Sequence, residues 1–513
     1  MSLTKLQSAL RGAYSGSVLK NQMSFDAFAQ TEHERGNRVH RFRRYYDGDH
    51  DAGLTEQMRD LLRVSSAGRR VTDSSTSGDY DPNSAPFNAN YMPMIVDTKV
   101  DRLELTGIDA DNAKAQEWAK DQLTRNRIDH LNLQVCESAS RDGDTYIFID
   151  FNEETGYSEW VHEPAYDGVS GMVLLYPTRM SREPELAIKI WHITSEGGQT
   201  ADTMRVNTYS ATEIRRYISH DGGELKPVVG DMDDLGAGVQ SNPLGVVPVA
   251  HFANQSTRYD NYGRSDIDDA IPLQDTLNRT MVSMVATAEL TAFKVRYGIG
   301  GFEFPAKITP GMFINLSGGK PVGKEETLET GEFEAGNIVP FVEQANWVID
   351  QIFTVTKTPK PNMGSNESGE AKKQNEAPLL GKVKRAQISY GGTWEKVLEL
   401  AWLVESVHGK TPPEYETFNA RWAKAEVRND KELMENAALL LAADSNFPIE
   451  EYYRIVAPVF GWDEDKIEKL ASQRDDQLGS RLARLGAIGD PFGAIAQPNG
   501  NTPELATINE NGA

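Results

Sequence analysis

The nearest approach to a chemical motif in this sequence is a phosphate loop that fails at one residue. Gly318-Gly319-Lys320-Pro321-Val322-Gly323-Lys324 meets the G-x-x-x-x-G-K spacing, but Glu325 stands where a magnesium-holding hydroxyl belongs. A carboxylate there repels phosphates and no helical pattern follows, so the run reads as a turn between two strands. Asp47, Asp49 and Asp51 alternate as in a calcium loop, yet glycine comes at Gly53 and Met58 takes the place of the bidentate carboxylate. They read as a solvated acidic turn. His162-Glu163 lacks the second histidine of a zinc-protease helix, and no G-x-S-x-G elbow occurs. The single cysteine, Cys136, lies in a helical stretch, where a small buried thiol is the ordinary outcome. With 9 histidines and 76 acidic residues some acid–base pair can always be nominated, and no spacing selects one. The sequence reads as non-enzymatic, with no cofactor and no metal.

Composition sets the frame for that reading. The chain has 513 residues, 39% hydrophobic and 25% charged, which is an ordinary globular balance. One cysteine excludes an intrachain disulfide and points to a reducing compartment. The residues after Met1 carry no continuous apolar stretch before a cleavage site, and no window approaches the length of a membrane span. The expectation is a cytoplasmically made protein with no membrane partner. Lysine and arginine number 53 against the 76 acids, a net charge of −23, which argues against a conventional DNA reader with a basic patch.

The elements follow from apolar spacing. Helical patterns fill residues 1–64, 90–107 and 113–142, the last ending at Gly143, with a polar break at 65–86. Arg41, Arg43 and Arg44 beside Tyr45 and Tyr46 could stack on nucleic acid; interior salt bridges explain them better. From 145 to 252 short alternating runs between Gly, Asp and Ser turns predict strands. Ser265 with Asp268 makes a capping box, with Asp266 and Asp269 suited to a helix start, ahead of an apolar stripe through Ile271, Leu277, Met281 and Val285. A second rod opens at Pro340, with Val348, Ile349, Ile352 and Phe353 on one face. Between the two rods lies a small strand-like insertion. The Pro- and Gly-bearing loop Thr358 to Gly369 precedes a long helical pattern broken at Pro378, Gly381 and Gly391-Gly392. Two or three helices run from Asp430 to Asp476, and a Gly- and Asn-rich tail follows. The fold class expected is α+β.

Several strings in this order resemble bacteriophage portal proteins of long-tailed double-stranded DNA phages. They are Tyr45-Tyr46-Asp47-Gly48-Asp49-His50, then Pro243-Leu244-Gly245-Val246-Val247-Pro248-Val249 ahead of Gly263-Arg264-Ser265-Asp266-Ile267, then Ser368-Gly369-Glu370-Ala371-Lys372, and Pro378 to Val383 with Trp394. Each string is weak alone. Their order around a helix–insertion–helix core is specific, and the similarity runs from about Tyr45 to about Leu470.

The resemblance implies the portal architecture of wing, helical stem, β-containing clip, kinked long helix with a tunnel loop, and helical crown. It divides the chain into a wing at 1–263, stem helix at 264–292, clip at 293–339, second stem helix at 340–358 and tunnel loop at 359–369. The long kinked wing helix and following strand take 370–429, the crown 430–478 and a flexible tail 479–513. It also implies a dodecameric ring at one capsid vertex of the virion, assembled in the host cytoplasm. That ring passes double-stranded DNA and meets the terminase motor, a head–tail adaptor, and the major capsid and scaffold proteins. On this assignment the tunnel-loop residues facing DNA are Lys357, Lys360, Asn362, Ser365, Asn366, Lys372 and Lys373. Acidic channel-lining candidates are Asp268, Asp275 and Glu343, and clip-docking candidates are Arg296, Lys307, Lys320 and Lys324. The negative balance then acquires a use, because a conduit must avoid the phosphate-neutralising contacts that hold a DNA binder in place. The alternative is a capsid-associated adaptor without a DNA channel, in which the two rods pack within one chain.

Overall fold

The computed structural model describes residues 25–50, 89–178, 181–193, 203–220, 225–229, 231–232, 236–255, 261–291, 296–299, 313–315, 329–332, 337–361, 369–415, 417–426, 430–443, 447–460, 462 and 466–474. They fall into two compact units, the first closing at Ala425 and the second opening at Glu426. Chain order in the first unit begins with α1 (Phe25–Tyr46), α2 (Met92–Val100), β1 (Leu105–Asp109), α3 (Ala113–Arg125) and α4 (Ile128–Asp142). A strand-rich region follows: β2 (Asp144–Asn152), β3 (Tyr157–Pro164), β4 (Gly171–Leu175), β5 (Leu186–Ile193), β6 (Thr203–Ser210) and β7 (Glu213–His220). The short strands β8 (Lys226–Pro227), β9 (Asp231–Met232), β10 (Gly236–Ala237) and β11 (Val239–Ser241) lead to β12 (Val249–Ala253). Then come α5 (Ile271–Thr291), β13 (Arg296–Ile299), β14 (Phe313–Asn315), β15 (Glu329–Glu332), α6 (Val339–Thr356), α7 (Gly369–Val407) and β16 (Asn419–Trp422). The second unit holds α8 (Asp430–Ala443) packed on α9 (Ile449–Phe460).

Strand β2 is the hinge of the packing. It pairs antiparallel with β12 on one side and β3 on the other. Side chains alternate along a strand, and here both faces are covered. Ile147 and Ile149 enter the main core with α4 and α7, while Tyr146 enters a second cluster with Met172, Leu174 and Val249. The antiparallel ladder β4–β5–β6–β7–β11 is two-faced in the same way. Ile188, Ile190, Val206 and Tyr217 fill a third cluster on one face, and Ala187 and Tyr209 join the second on the other. In the insertion, β13 pairs parallel with β14 and antiparallel with β15.

Helix α7 is the spine of the main core, burying Leu379, Val383, Tyr390, Trp394, Val397, Leu398 and Ala401 against β2, β12 and β16. The glycines and proline expected to break it do not. Pro378 lies inside the helix at its tenth residue, exposed to solvent, and the helix continues through it. A Cβ on Gly391 would stand 3.2 Å from the Trp422 ring nitrogen, so the glycine lets β16 approach. The stop expected at Gly143 is present, with φ +96° at the end of α4. Its carbonyl accepts the Asn254 N–H at 2.8 Å. A Cβ on Gly263 would lie 2.0 Å from that same carbonyl oxygen, so the strand end, the helix end and the run entering α5 meet backbone to backbone.

In the basic-aromatic run at the end of α1, Arg43 makes the interior ion pairs expected, while Arg41 stays half exposed. Arg43 pairs with Asp142 at 2.9 Å and Asp167 at 2.7 Å and donates to the Ala165 carbonyl, while Arg44 pairs with Asp49. Cys136 is fully buried, and burial pushes its thiol up to about 12. His162 meets the Thr145 hydroxyl and Glu163 is ion-paired with Lys189, so the two serve separate contacts. Asp51 and the Gly318–Glu325 run lie outside the described residues.

Candidate channel helices and the junction that anchors them

Helices α5 and α6 pack along one another. Tyr91 bridges them: its N–H donates to Gln274 Oε1 on α5 at 3.2 Å while its ring meets Phe353 on α6 edge-on at 5.7 Å. Lys382 of α7 meets Asp266 just before α5 and the Thr356 carbonyl at the end of α6, so the helices run antiparallel, with residue 274 near residue 353. Further along α5, Asn278 bonds the His50 ring at 2.8 Å, and the Tyr45 hydroxyl donates to Asp275 at 2.7 Å. Burial and the Asp275 carboxylate push the Tyr45 hydroxyl up to about 12. α6 buries Val348, Ile352, Phe353 and Thr356, and leaves Val339, Glu343, Trp347, Asp350 and Thr354 outward. Trp347 is 60% exposed, which is far from the usual place of a tryptophan.

Both helices converge on a buried charged junction. Asp266, five residues before α5, is fully enclosed and pairs with Lys99 of α2 at 2.9 Å and with Lys382 of α7 at 2.9 Å. Gln255 also donates to Asp266, and Lys99 donates to Asn254 at 2.7 Å. Lys382 reaches the carbonyl of Thr356, the last residue of α6, at 3.2 Å. One lysine on the spine helix thus holds the base of α5 and the end of α6 together. Burial pushes the Asp266 carboxyl up, but Lys99 and Lys382 more than offset it and the group sits below the usual carboxylate range. Burial likewise pulls Lys382 below the ordinary lysine range despite Asp266 beside it.

This arrangement corrects the expected helix start. Ser265 and Asp268 do not cap α5, which begins at Ile271. The Ser265 hydroxyl donates to the Arg141 carbonyl and accepts from Ile267 N–H at 3.3 Å inside a turn, and Asp266 points into the core instead of adding to an acidic surface. Asp268 and Asp269 in that turn face Arg264. Asp275 is engaged by Tyr45 and lies 3.9 Å from Arg41, whereas Glu343 is exposed on α6. Lys357 is the left-handed cap of α6, with φ 57° and ψ 33°, and Lys360 pairs with Asp350 at 2.5 Å. Lys372 and Lys373 fall in the first turns of α7, and Arg296 opens β13. Asn362, Ser365, Asn366, Lys307, Lys320 and Lys324 lie outside the described residues. Lys99 and Lys382 were not singled out from sequence. A signal existed for Lys99, a lone charge four residues from Ile95 on an otherwise apolar helical face.

A second buried carboxylate secures the run entering α5. Asp144 accepts from His251 Nε2 at 2.8 Å, from Gly263 N–H at 2.6 Å and from Arg35 at 3.1 Å. Burial pushes its carboxyl up, and His251, Arg35 and the Gly263 amide outweigh that, leaving it below the usual range. A depressed folded pKa contributes stability that is complete above the unfolded value of about 3.9 and is lost as pH falls through the folded value. Asp144 and Asp266 share this sign. The wild-type melting temperature is expected to fall as pH is lowered from 5 towards 3, and Asp144→Asn should flatten that slope. An unchanged slope in the variant rules out Asp144 as a source.

Among the described residues no group of His, Cys, Asp and Glu side chains could hold a metal ion, and no helix is long and apolar enough to cross a membrane. The buried polar groups at this junction fix α2, α5, α6 and α7 to one another. The chain belongs to the phage portal protein family, SPP1 Gp6-like, whose model matches residues 27–478. The portal proteins of Mycobacterium phages L5 and D29 are each 27% identical to it over 188 residues. That stretch is 35% of this chain and spans 38% and 39% of those relatives' lengths. A chain of the "Neck of empty GTA particle computed with C6 symmetry" aligns at 12% identity and a TM-score of 0.39, covering 79% of this chain and 94% of that one.

Proposed function

We propose that this chain forms a ring, dodecameric by family resemblance, at one capsid vertex, with a central channel through which double-stranded DNA enters and leaves. α5 and α6 are its stem, residues 293–339 its clip, and residues 359–369 its tunnel loop. The observation that carries the reading is the junction at Lys382, from which two packed helices and the spine helix are held as one unit while the outward face of α6 stays exposed. A helix pair so fixed can stand beside a copy of itself and keep its orientation. The net charge of −23 fits a channel that lets phosphates slide past. In this role Lys357, Lys360, Lys372 and Lys373 give transient grip around the tunnel loop, to which Asn362, Ser365 and Asn366 also belong. Asp268 and Asp275 belong to the acidic channel set, with Glu343 at its edge on the subunit boundary, and Arg296, Lys307, Lys320 and Lys324 meet the packaging motor or a head–tail adaptor. The outer wing faces capsid and scaffold proteins.

Electron microscopy of the purified chain with its solution mass tests the ring directly. The expected particle is a closed ring with an axial hole wide enough for a duplex; a compact monomer favours the adaptor alternative. Deleting Asn362 to Glu367 is expected to leave the ring intact and reduce packaged DNA per head by on the order of tenfold, since loops on a rigid scaffold carry the contact function. Unchanged packaging removes the tunnel-loop assignment.

A further inference from the structure

The outward stripes of α5 and α6 differ in chemistry at the same level. On α6, Glu343, Trp347 and Asp350 recur at spacings of four and three and so share one face. All three are exposed, and Asp350 keeps half its surface free beyond its pairing with Lys360. On α5 the outward stripe holds Arg279, exposed, between the small residues Thr276 and Ser283. The Tyr91 contacts place residue 274 near residue 353, and the helices run in opposite directions. Both helices advance about 1.5 Å per residue. Five residues on from 274, Arg279 therefore falls at the height of the stretch from Glu343 to about residue 348, which holds Trp347.

We propose that Arg279 of one copy docks on the Glu343–Trp347–Asp350 stripe of α6 in a second copy of this chain. The inference rests on the ring and stem reading given above. Rotation about a ring axis keeps every residue at its own height, so for helices running with that axis only residues at one level can meet across a subunit boundary. Arg279 and Trp347 meet that condition. Their chemistry is complementary: the guanidinium lies over the indole face and is flanked by carboxylates on either side. Thr276 and Ser283 leave room for the indole edge. The contact is heterologous, joining two different faces of the chain, as a closed ring requires. It also accounts for an exposed tryptophan on a helix whose other face is well packed.

Charge exchange tests the pairing. Arg279→Glu places a carboxylate against two others, and Glu343→Arg with Asp350→Arg places two cations against Arg279. Each protein alone is expected to keep wild-type helix content by circular dichroism and to lose ring by about tenfold relative to wild type in mass photometry, because like charges then face each other across every boundary. Mixed one to one, the two proteins are expected to regain rings in which they alternate, since each boundary again joins opposite charges. Recovery on mixing also shows that both variants fold. Trp347→Ala should shift ring formation to higher protein concentration. Wild-type rings together with undiminished rings from both charge variants, or no recovery on mixing, overturn the pairing and leave the ring standing. A wild-type chain that stays monomeric overturns the ring reading and this inference with it.

Discussion

Asp266→Ala is expected to destabilise the first unit by roughly 3–5 kcal/mol, the cost of breaking a buried ion pair from one side. The residue is enclosed and holds two lysines, each 2.9 Å away. Removing the carboxylate leaves Lys99, whose side chain is 1% exposed, and Lys382 facing each other across the space it occupied. Lys99 retains the Asn254 amide oxygen and Lys382 retains the Thr356 carbonyl, but neither supplies a compensating charge. The variant is expected to melt several degrees below wild type, and α5 and the end of α6 should lose hydrogen-exchange protection together because Lys382 serves both. Replacing all three charged residues with Met and Leu should cost much less than Asp266→Ala, since it removes the desolvated charges along with their attraction. If Asp266→Ala melts with wild type, the junction is not what fixes these helices.

Apolar periodicity carries the helix pair almost unaided. The stem helices expected at 264–292 and 340–358 are helices at Ile271–Thr291 and Val339–Thr356, the first starting seven residues later than expected, and each has one covered face that a 3.6-residue stripe records. The strand block is legible for the same reason, with short alternating runs between turn residues. What fails is local chemistry overruled by contacts distant in sequence. Ser265 and Asp268 match a capping box, yet Asp266 is drawn inward by lysines 167 residues before and 116 residues after it. Nothing in the window around Ser265 encodes that. Gly391 and Gly392 look like breakers of α7, but a helix packed against three strands carries both: Trp422 must come close at Gly391, while nothing lies within 4 Å of a Cβ on Gly392. The junction was half visible. Lys99 stands on an apolar face with Ile95, Val96 and Val100, a charge in the wrong place unless it has a buried partner. The identity of that partner required the fold.

Trp394 is the second position where a single change should be severe, and its parts can be separated. The side chain is fully buried, meets Phe252 edge-on at 5.0 Å and lies 6.3 Å from the Trp160 ring. Its ring N–H donates to Asn132 Oδ1 at 3.2 Å, and Asn132 in turn donates to the Leu103 carbonyl at 2.7 Å. Trp394 therefore ties the spine helix to α4 and to the entry of β1 through one polar relay inside an apolar core. Trp394→Ala opens a cavity that the surrounding strands cannot close and is expected to cost about 3–5 kcal/mol. Trp394→Phe keeps most of the ring contact and removes only the donor, leaving Asn132 Oδ1 with the weak Cys136 thiol at 3.5 Å. That change is expected to cost about 1–3 kcal/mol, the range for a buried acceptor left without its partner. Thermal melts should rank wild type above Trp394→Phe and Trp394→Ala lowest, and Asn132→Ala added to Trp394→Phe should cost less than it does in wild type because the two share one bond. Equal melting temperatures for the Phe and Ala variants would assign the whole effect to the relay and none to the cavity. Additive losses in the double variant would dissolve the relay and leave packing as the only tie between α4 and the spine.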